Sequence, residues 1–300
     1  MTRLFSVYGD SISSFEDILP QGWRVFFEGE QLELTGVKTP HDTWWGQVID
    51  HFDGQFLANA SWSGCVVEGR DFPVGASAER IEHLQADGRT PDDILVHIGI
   101  NDYRWGSGYA QICAATPSAP PKLAAECPDH GKVAGMAPEG TLANFEESFR
   151  RMLATMHAQY PNARIWVSTL LPGRVKGAHR PTSPRWFRGI CVDEYNKIIR
   201  AAAGDADNCY LVDMQAFGYD YDAIDGTHPT ALGMKQMASM FIRGMEQADP
   251  ELPRTPYEGH DLFPDEMRSA EFCTKPCVGC EYARGTGNNW WHVCEKQLAD

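Results

Sequence analysis

The stretch Ile94-Leu95-Val96-His97-Ile98 is almost continuously apolar, and the stretch Ile165-Trp166-Val167-Ser168-Thr169-Leu170 has the same character. Such runs are typical of strands that are covered on both faces, as in a parallel sheet. Three further β-rich runs predict strands over 4–8, 56–59 and 210–213. Apolar residues at helical spacing predict helices over about 42–52, 76–86, 141–159, 190–203 and 230–247. This alternation predicts an α/β fold with a parallel sheet between helices and a site at the carboxyl ends of the strands.

Composition and charge exclude several classes of protein and of binding partner. The 300 residues are 43% hydrophobic and 22% charged, which excludes a disordered or fibrous chain. The formal net charge of −15 argues against nucleic acid or an anionic membrane surface as the main partner. No apolar run approaches the roughly 20 residues of a membrane span. The N-terminal residues lack the features of a secretory signal, so we expect a cytoplasmic protein.

Two stretches interrupt the strand and helix pattern. Residues 103–140 are rich in Ala, Pro and Gly and follow the third strand, so we expect an insert that serves as a lid or a binding wall. Residues 248–272 carry four prolines among acidic residues and are interpreted as a linker. The expected organisation is a main domain over 1–247, the linker, and a Cys-rich tail over 273–300.

Two turns carry the residue types of nucleophilic catalysis. Gly9-Asp10-Ser11 follows the first strand, and Asp225-Gly226-Thr227-His228-Pro229 follows the last. Acyl transfer by serine needs a presented hydroxyl, an imidazole that takes its proton and a carboxylate that orients the imidazole. Each turn alone is more simply a structural turn or a helix cap. Together, at the carboxyl ends of the first and last strands, they predict a catalytic set of Ser11, His228 and Asp225.

Two other residues match the remaining requirement, which is a set of donors for a tetrahedral oxyanion. Gly64 follows the second strand, where a glycine lets a backbone N–H approach a substrate. Asn101 follows the third strand and offers a side-chain amide. A turn glycine and a loop cap are the simpler explanations when each residue is considered alone.

Ser11, Gly64, Asn101 and His228, in this order, resemble the four motifs of the SGNH (GDSL-type) hydrolases over roughly 4–245. The segment Thr43-Trp44-Trp45 and Asn59 resemble the sequence motifs of a bacterial branch of that family. The resemblance implies a flavodoxin-like three-layer α/β/α sandwich with a five-stranded parallel sheet. It also implies a serine esterase whose oxyanion hole combines the Ser11 and Gly64 N–H groups with the Asn101 side chain. Ile12 departs conservatively from the leucine that is common in the family.

The substrate is a separate question, because this scaffold serves many esters. Aromatic residues suited to stacking on sugar rings include Trp62, Trp105, Trp186 and Phe187. A locally basic segment follows the fourth strand and holds Arg174, Lys176, Arg180, Arg185 and Arg188. We expect this segment, through Arg185 and Arg188, to bind an anionic or polar group of the substrate. Core packing and a solvated loop are the plain alternatives for these residues. We expect a small-molecule ester as substrate, with an acetyl or other small acyl group on a carbohydrate or similar polar alcohol. A thioesterase or lysophospholipase, or a non-catalytic binding module, stays open.

The nine cysteines include a C-terminal cluster, Cys273, Cys277, Cys280 and Cys294. Four thiolates with a CxxC turn are a ligand set for structural zinc, and His292 offers a replacement for one of them. Disulfides and free thiols are the alternatives. A catalytic metal is not expected, because four protein ligands leave no open position. Elsewhere, Cys65, Cys191, Cys209 and the strand residue His97 are expected to be buried.

Overall fold

A computed structural model of the chain describes residues 2–104, 141–171, 173–175, 186–187, 190–255, 261–264, 283–285 and 292–294. Its strands are β1 (Leu4–Gly9), β2 (Gln55–Asn59), β3 (Asp93–His97), β4 (Arg164–Ser168), β5 (Gly173–Val175), β6 (Trp186–Phe187), β7 (Ile190–Cys191), β8 (Cys209–Val212), β9 (Tyr221–Ala223), β10 (Ala283–Gly285) and β11 (His292–Cys294). Its helices are α1 (Glu30–Thr35), α2 (Trp44–His51), α3 (Ala78–Glu82), α4 (Ile100–Arg104), α5 (Leu142–Gln159), α6 (Val192–Asp205) and α7 (Ala231–Ala248). Short 3₁₀ turns lie at Ser11–Ser13, Pro40–Asp42 and Met214–Phe217.

Five parallel strands form the central sheet in the order β2-β1-β3-β4-β8. Val7 of β1 lies opposite Asn59 of β2 and Leu95 of β3, and Leu95 also lies opposite Trp166 of β4. The expected α/β fold with a five-stranded parallel sheet is confirmed. Because β2 and β3 flank β1 on opposite sides, the strand order reverses there, and the carboxyl ends of β1 and β3 open the crevice in which such folds bind ligands.

The helices pack in two groups, α2 with α7 and α5 with α3 and α6. Helix α5 shows why the sequence folds this way: Thr141 accepts a hydrogen bond from the Asn144 N–H at 3.1 Å and caps its first turn. Its apolar stripe is buried in the main core, where it comprises Phe145, Phe149, Met152, Leu153 and Met156. Burial of this stripe, rather than helix propensity, supplies most of its stability.

Some boundaries differ from the sequence prediction. The helix expected over 76–86 is confined to Ala78–Glu82, because the Leu84 N–H donates to the Ile81 carbonyl at 3.0 Å and tightens the end of the helix. Strand β4 ends at Ser168 rather than at residue 170. Three two-stranded pairs were not predicted, namely β5 with β9, β6 with β7, and β10 with β11.

The interrupting stretches are described only in part. Residues 105–140 of the expected insert lie outside the described residues. In the expected linker, Leu252 and Phe263 are buried in the main core, so its described parts pack against the main domain. Of the expected tail, the described residues form the antiparallel pair of β10 and β11. Within the described ranges, no helix combines the length and the apolar character that crossing a membrane requires.

Candidate active site

Ser11 lies at the carboxyl edge of the sheet, in the tight turn that follows β1. The Asp10 carboxylate accepts a hydrogen bond from the Ile12 N–H at 3.0 Å and caps this turn. A side chain at Gly9 has no room, because a Cβ there would lie 2.4 Å from Ser13 Oγ and 2.9 Å from the His97 carbonyl oxygen. Glycine therefore lets the strand end close to β3 and present Ser11 at the rim of the crevice.

Ser13 anchors the same turn to the body of the protein. Its carbonyl accepts hydrogen bonds from Trp45 Nε1 at 3.1 Å and Asn59 Nδ2 at 2.9 Å. Its hydroxyl accepts one from Trp44 Nε1 at 3.2 Å. Three buried donors from α2 and β2 thus fix the turn that carries Ser11. The family resemblance singled out Trp44, Trp45 and Asn59 in the sequence, but it did not indicate that they contact Ser13.

The structure brings Ser11, His228 and Asp225 into one hydrogen-bonded chain. His228 Nε2 lies 2.9 Å from Ser11 Oγ, and His228 Nδ1 lies 2.6 Å from Asp225 Oδ2. The other Asp225 oxygen accepts the backbone N–H groups of Thr227 at 2.9 Å and His228 at 2.8 Å. This is the arrangement in which an imidazole can take the serine proton while a carboxylate holds the ring.

The loop that carries His228 is fixed by strands β5 and β9. The Tyr221 hydroxyl donates to the Thr227 carbonyl at 2.5 Å, and the Ile224 N–H donates to the His228 carbonyl at 3.0 Å. From the segment after β4, the Gly173 N–H donates to the Gly226 carbonyl at 3.1 Å. Neither β5 nor β9 was predicted, yet together they set the position of the histidine.

Electrostatics keep the Asp225 carboxylate ionised. Burial raises the pKa of Asp225, but the attraction of His228 and the hydrogen bonds from His228 and Thr227 outweigh burial, so the pKa is lowered overall. Asp10 shows the opposite balance. Its carboxyl is fully buried, one oxygen has no hydrogen-bond partner among the described residues, and burial raises its pKa to about 6.

The two predicted oxyanion residues besides Ser11 lie on the loop after β2 and at the start of α4. Gly64 follows β2 and has a φ of 80°, a conformation that favours glycine. Asn101 lies in the first turn of α4, and its Nδ2 donates to the Cys65 carbonyl at 2.8 Å. An amide NH₂ carries two donors, and within the described residues the contact with Cys65 uses one of them. Asp102 joins α4 to the loop after β2, since its carboxyl accepts the Val67 N–H at 2.8 Å and the Glu68 N–H at 3.0 Å.

Of the four aromatic residues predicted to stack on a sugar ring, Trp62 is the one whose side chain the structure describes. Its ring lies 5.4 Å from that of Trp23 and 5.0 Å from that of Phe72, and its backbone N–H donates to the Gly9 carbonyl at 3.2 Å. Trp105, Lys176, Arg180, Arg185 and Arg188 lie outside the described residues, and Trp186 and Phe187 form β6. Arg174 lies on β5 and is buried.

The predicted zinc ligands Cys273, Cys277 and Cys280 lie outside the described residues, and Cys294 lies on β11 opposite Ala283. Within the described ranges, no cluster of three or more His, Cys, Asp or Glu side chains could hold a metal ion. Cys65 is buried, whereas Cys209 is only partly buried. His97 is buried, with Nδ1 2.7 Å from Ser168 Oγ, and burial lowers its pKa to about 4.

Comparison with known proteins places this site in a family. Residues 7–236 match the GDSL-like lipase/acylhydrolase family. No curated protein sequence matches the chain. A solved structure assigned to the GDSL-like lipases from Bacteroides ovatus is 22% identical, with a TM-score of 0.52 over 82% of this chain and 99% of that one. A second one, from Bacteroides uniformis, is 22% identical, with a TM-score of 0.51 over 82% and 96%.

The two solved structures share the fold of this chain, and the family match covers both the turn that carries Ser11 and the loop that carries His228. The chain therefore belongs to the GDSL-like lipase/acylhydrolase family and is an ester hydrolase of the SGNH type.

Proposed function

We propose that this ester hydrolase is a serine esterase that removes small acyl groups, foremost acetyl, from a carbohydrate or a similar polar alcohol through an acyl-enzyme on Ser11. One observation carries the catalytic part. It is the continuous chain from Ser11 Oγ through the His228 imidazole to the Asp225 carboxylate, with contacts of 2.9 and 2.6 Å.

The chemistry follows from these contacts. Ser11 Oγ attacks the ester carbonyl carbon while its proton moves to His228 Nε2, and the carbonyl oxygen becomes an oxyanion. The N–H groups of Ser11 and Gly64 and the second amide hydrogen of Asn101 are its donors. His228 then gives the proton to the departing alkoxide, which leaves as the alcohol. Water attacks the acyl-enzyme with His228 again as base, and the acid and free Ser11 are restored.

Asp225 acts through His228 rather than on the substrate. Its contact with Nδ1 selects the ring tautomer whose Nε2 faces Ser11 and stabilises the imidazolium that forms during attack. Its lowered pKa keeps it ionised through the neutral range. The stack of Phe26 on His228, with ring centroids 3.5 Å apart, further limits the orientations of the imidazole.

The aromatic group next to the oxyanion loop supports a polar ring as the leaving alcohol. Trp23, Trp62 and Phe72 lie 5.0 to 5.4 Å from one another and are each partly exposed. Trp62 is two residues before Gly64, so this group borders the expected oxyanion hole. Aromatic faces at such a position suit the stacking of sugar rings, whereas a long acyl chain needs an extended apolar surface.

A p-nitrophenyl ester series from acetate to palmitate tests the proposal, with acetate release from acetylated xylose oligomers as the second assay. Ser11→Ala is the catalytic variant. Ser239→Ala on α7, remote from the described triad contacts, is its matched control. We expect the highest kcat/KM on acetate, loss of about 10⁴-fold or more in Ser11→Ala, and no change in Ser239→Ala.

Other results of the series point elsewhere. Higher kcat/KM on medium or long chains contradicts the small-acyl proposal and supports a thioesterase or lysophospholipase. Binding of acetylated oligomers without turnover of any ester contradicts the catalytic proposal and supports a binding module.

A further inference from the structure

Arg80, on the short helix α3, is a fully buried cation. Its Nε donates to the Ala60 carbonyl at 2.8 Å, and its Nη1 donates to Cys65 Sγ at 2.9 Å and to the Pro73 carbonyl at 3.1 Å. Its Nη2 donates to the Gly9 carbonyl. The guanidinium also lies over the Tyr8 ring, 4.3 Å from the centroid. Arg80 therefore contacts the end of β1, the loop after β2 and the segment that leads to α3.

Neutral groups accept the hydrogen bonds of this cation, while the Asp10 carboxyl attracts it from beyond ion-pair distance. Within the part of the chain that the structure describes, no carboxylate lies within ion-pair distance of Arg80, and all its hydrogen-bond acceptors are carbonyl oxygens and a thiol. Burial of a charge without an ion pair is costly, and apolar side chains fill such positions in most cores. The planar fork of arginine, which can reach three loops at once, offers a reason for its presence here.

The Gly9 carbonyl is where these contacts converge. It accepts hydrogen bonds from Arg80 Nη2, from the Trp62 N–H at 3.2 Å and from Cys65 Sγ at 3.6 Å. Gly9 lies two residues before Ser11, and Trp62 and Cys65 flank Gly64 at distances of two residues and one. The same Cys65 offers its carbonyl to Asn101 Nδ2 at 2.8 Å. One network thus joins Gly9, two residues before the nucleophile, to Asn101 and to the residues that flank Gly64.

We infer that Arg80 is a positioning residue that fixes the Gly64 and Asn101 oxyanion donors relative to Ser11. It does not touch the substrate and acts through the Gly9 and Cys65 carbonyls and the Cys65 thiol. The inference rests on the proposed function, because it assigns a role within the same site. Its consequence is that loss of Arg80 weakens binding of the tetrahedral transition state more than binding of the ester.

The variant Arg80→Met keeps the length and burial of the side chain and removes its donors. We expect kcat to fall about 10- to 100-fold with KM changed less than about 3-fold, since a displaced oxyanion donor affects the transition state alone. Arg80→Lys keeps the charge but places one donor group where the guanidinium has three, so its kcat should lie between wild type and Arg80→Met.

Arg164→Met is the matched control, because Arg164 also carries hydrogen bonds and lies 5.3 Å from the Trp166 ring. It contacts Asp93 and Asp249 at the opposite, amino-terminal end of the strands. Rates are referred to the number of reactive sites, measured by the p-nitrophenol burst, so that a partly unfolded sample does not mimic a slow enzyme. Arg164→Met should lose thermal stability yet keep kcat per site.

A double-mutant cycle with Asn101→Ala distinguishes positioning from a general effect on stability. It measures whether the kcat losses of Arg80→Met and Asn101→Ala depend on each other. If Arg80 acts by positioning Asn101, the losses of kcat in Arg80→Met and Asn101→Ala combine to less than their product. The inference is overturned if the two fold-losses in kcat multiply in the double variant, which means that their activation free energies are additive. It is also overturned if kcat per site in Arg80→Met is within about 2-fold of wild type.

Two further arms keep the result decisive. If Arg80→Met does not fold, Cys65→Ala removes one acceptor of the same guanidinium, and we expect a smaller loss of kcat that is again non-additive with Asn101→Ala. Unchanged kcat in folded Cys65→Ala overturns the inference. Ser11→Ala is assayed alongside: activity that survives it contradicts the proposed function itself. Activity lost in Ser11→Ala but kept in Arg80→Met contradicts only the role of Arg80.

Discussion

The ring of Phe26 lies flat on the imidazole of His228, with centroids 3.5 Å apart and planes inclined by 7°. Phe26 is held there by its own backbone, whose N–H donates to Ser14 Oγ at 2.9 Å, just beyond the turn that carries Ser11. The histidine is therefore oriented at its edge by Asp225 and at its face by Phe26. A face contact of this kind also favours the imidazolium, because an aromatic face attracts a cation.

Removing that contact should slow catalysis with little effect on substrate binding. For Phe26→Ala we expect a loss in kcat of about 10-fold, from a less ordered base and a less stabilised imidazolium. Phe52→Ala is the matched control, because Phe52 is also partly buried beside a histidine, with its ring 4.8 Å from that of His51, on a different part of the fold. Equal kcat values for Phe26→Ala and wild type would contradict a role for the stack.

The anchors of Ser13 give a second prediction, on stability as well as rate. Asn59 is buried, donates to the Ser13 carbonyl and accepts the Ser61 N–H at 2.9 Å. Asn59→Ala removes the acceptor of the buried Ser61 N–H and leaves the Ser13 carbonyl with the Trp45 indole donor, so we expect the free energy of unfolding in urea to fall by about 1–3 kcal/mol. We also expect kcat to fall, since the turn that presents Ser11 loosens. The exposed Asn162→Ala should leave both quantities unchanged, and a similar effect of the two variants contradicts the anchoring.

Asp102 gives a prediction on pH. Burial raises the pKa of its carboxyl to about 7, against about 3.9 in an unfolded chain. Between these values the folded state holds a proton that the unfolded state has lost, so this group makes unfolding more favourable as pH rises from about 4 to 7. An amide at this position cannot titrate, and its oxygen can still accept the Val67 and Glu68 N–H groups.

Urea unfolding of wild type and Asp102→Asn at pH 5, 6.5 and 8 measures this effect. We expect the variant to gain stability relative to wild type as pH rises, by up to about 1.4 kcal/mol for each pH unit. Asp10, whose pKa is raised to about 6, contributes in the same direction to both proteins and cancels in the difference. A difference in unfolding free energy that is constant across the three pH values contradicts the raised pKa.

The cysteine cluster Cys273, Cys277, Cys280 and Cys294 predicts one structural zinc per chain in reducing buffer. Of these four residues the structure describes the backbone of Cys294, which lies on β11 opposite Ala283. The pair Cys277→Ser and Cys280→Ser should abolish the metal and leave the triad contacts intact. Metal analysis of the purified protein measures the content, and less than about half an equivalent contradicts the site. A mass deficit of about 2 Da for each cysteine pair would then indicate disulfides, and its absence free thiols.

The sequence was most informative where a pattern repeats. The apolar runs at 94–98 and 164–170 led to β3 and β4 because a strand covered on both faces has almost no polar positions. Ser11 and His228 could be paired in advance because each follows a strand at the same edge of the sheet. The strand order was not predicted, since the runs themselves do not say which strands are neighbours.

Other site residues have no such signal. Phe26 lies in an irregular segment, so no periodicity shows that its ring covers His228. Arg80 is on a short helix with charged neighbours on both sides in sequence, where an arginine normally faces solvent. Only the folded chain shows that its guanidinium points inward to Gly9 and Cys65. Contacts set by tertiary packing are the part that sequence patterns do not encode locally.

In the proposed mechanism, Ser11 is the nucleophile and His228 is the base that takes its proton. A fluorophosphonate, whose fluoride is displaced by an activated serine, tests this without any assumption about the natural ester. We expect one adduct per chain, which mass spectrometry finds on the tryptic peptide 4–24 and fragmentation places on Ser11. We also expect no adduct on that peptide in Ser11→Ala and labelling slowed by about 10³-fold or more in His228→Ala. An adduct on another residue of the wild-type chain, or undiminished labelling in either variant, would contradict this mechanism.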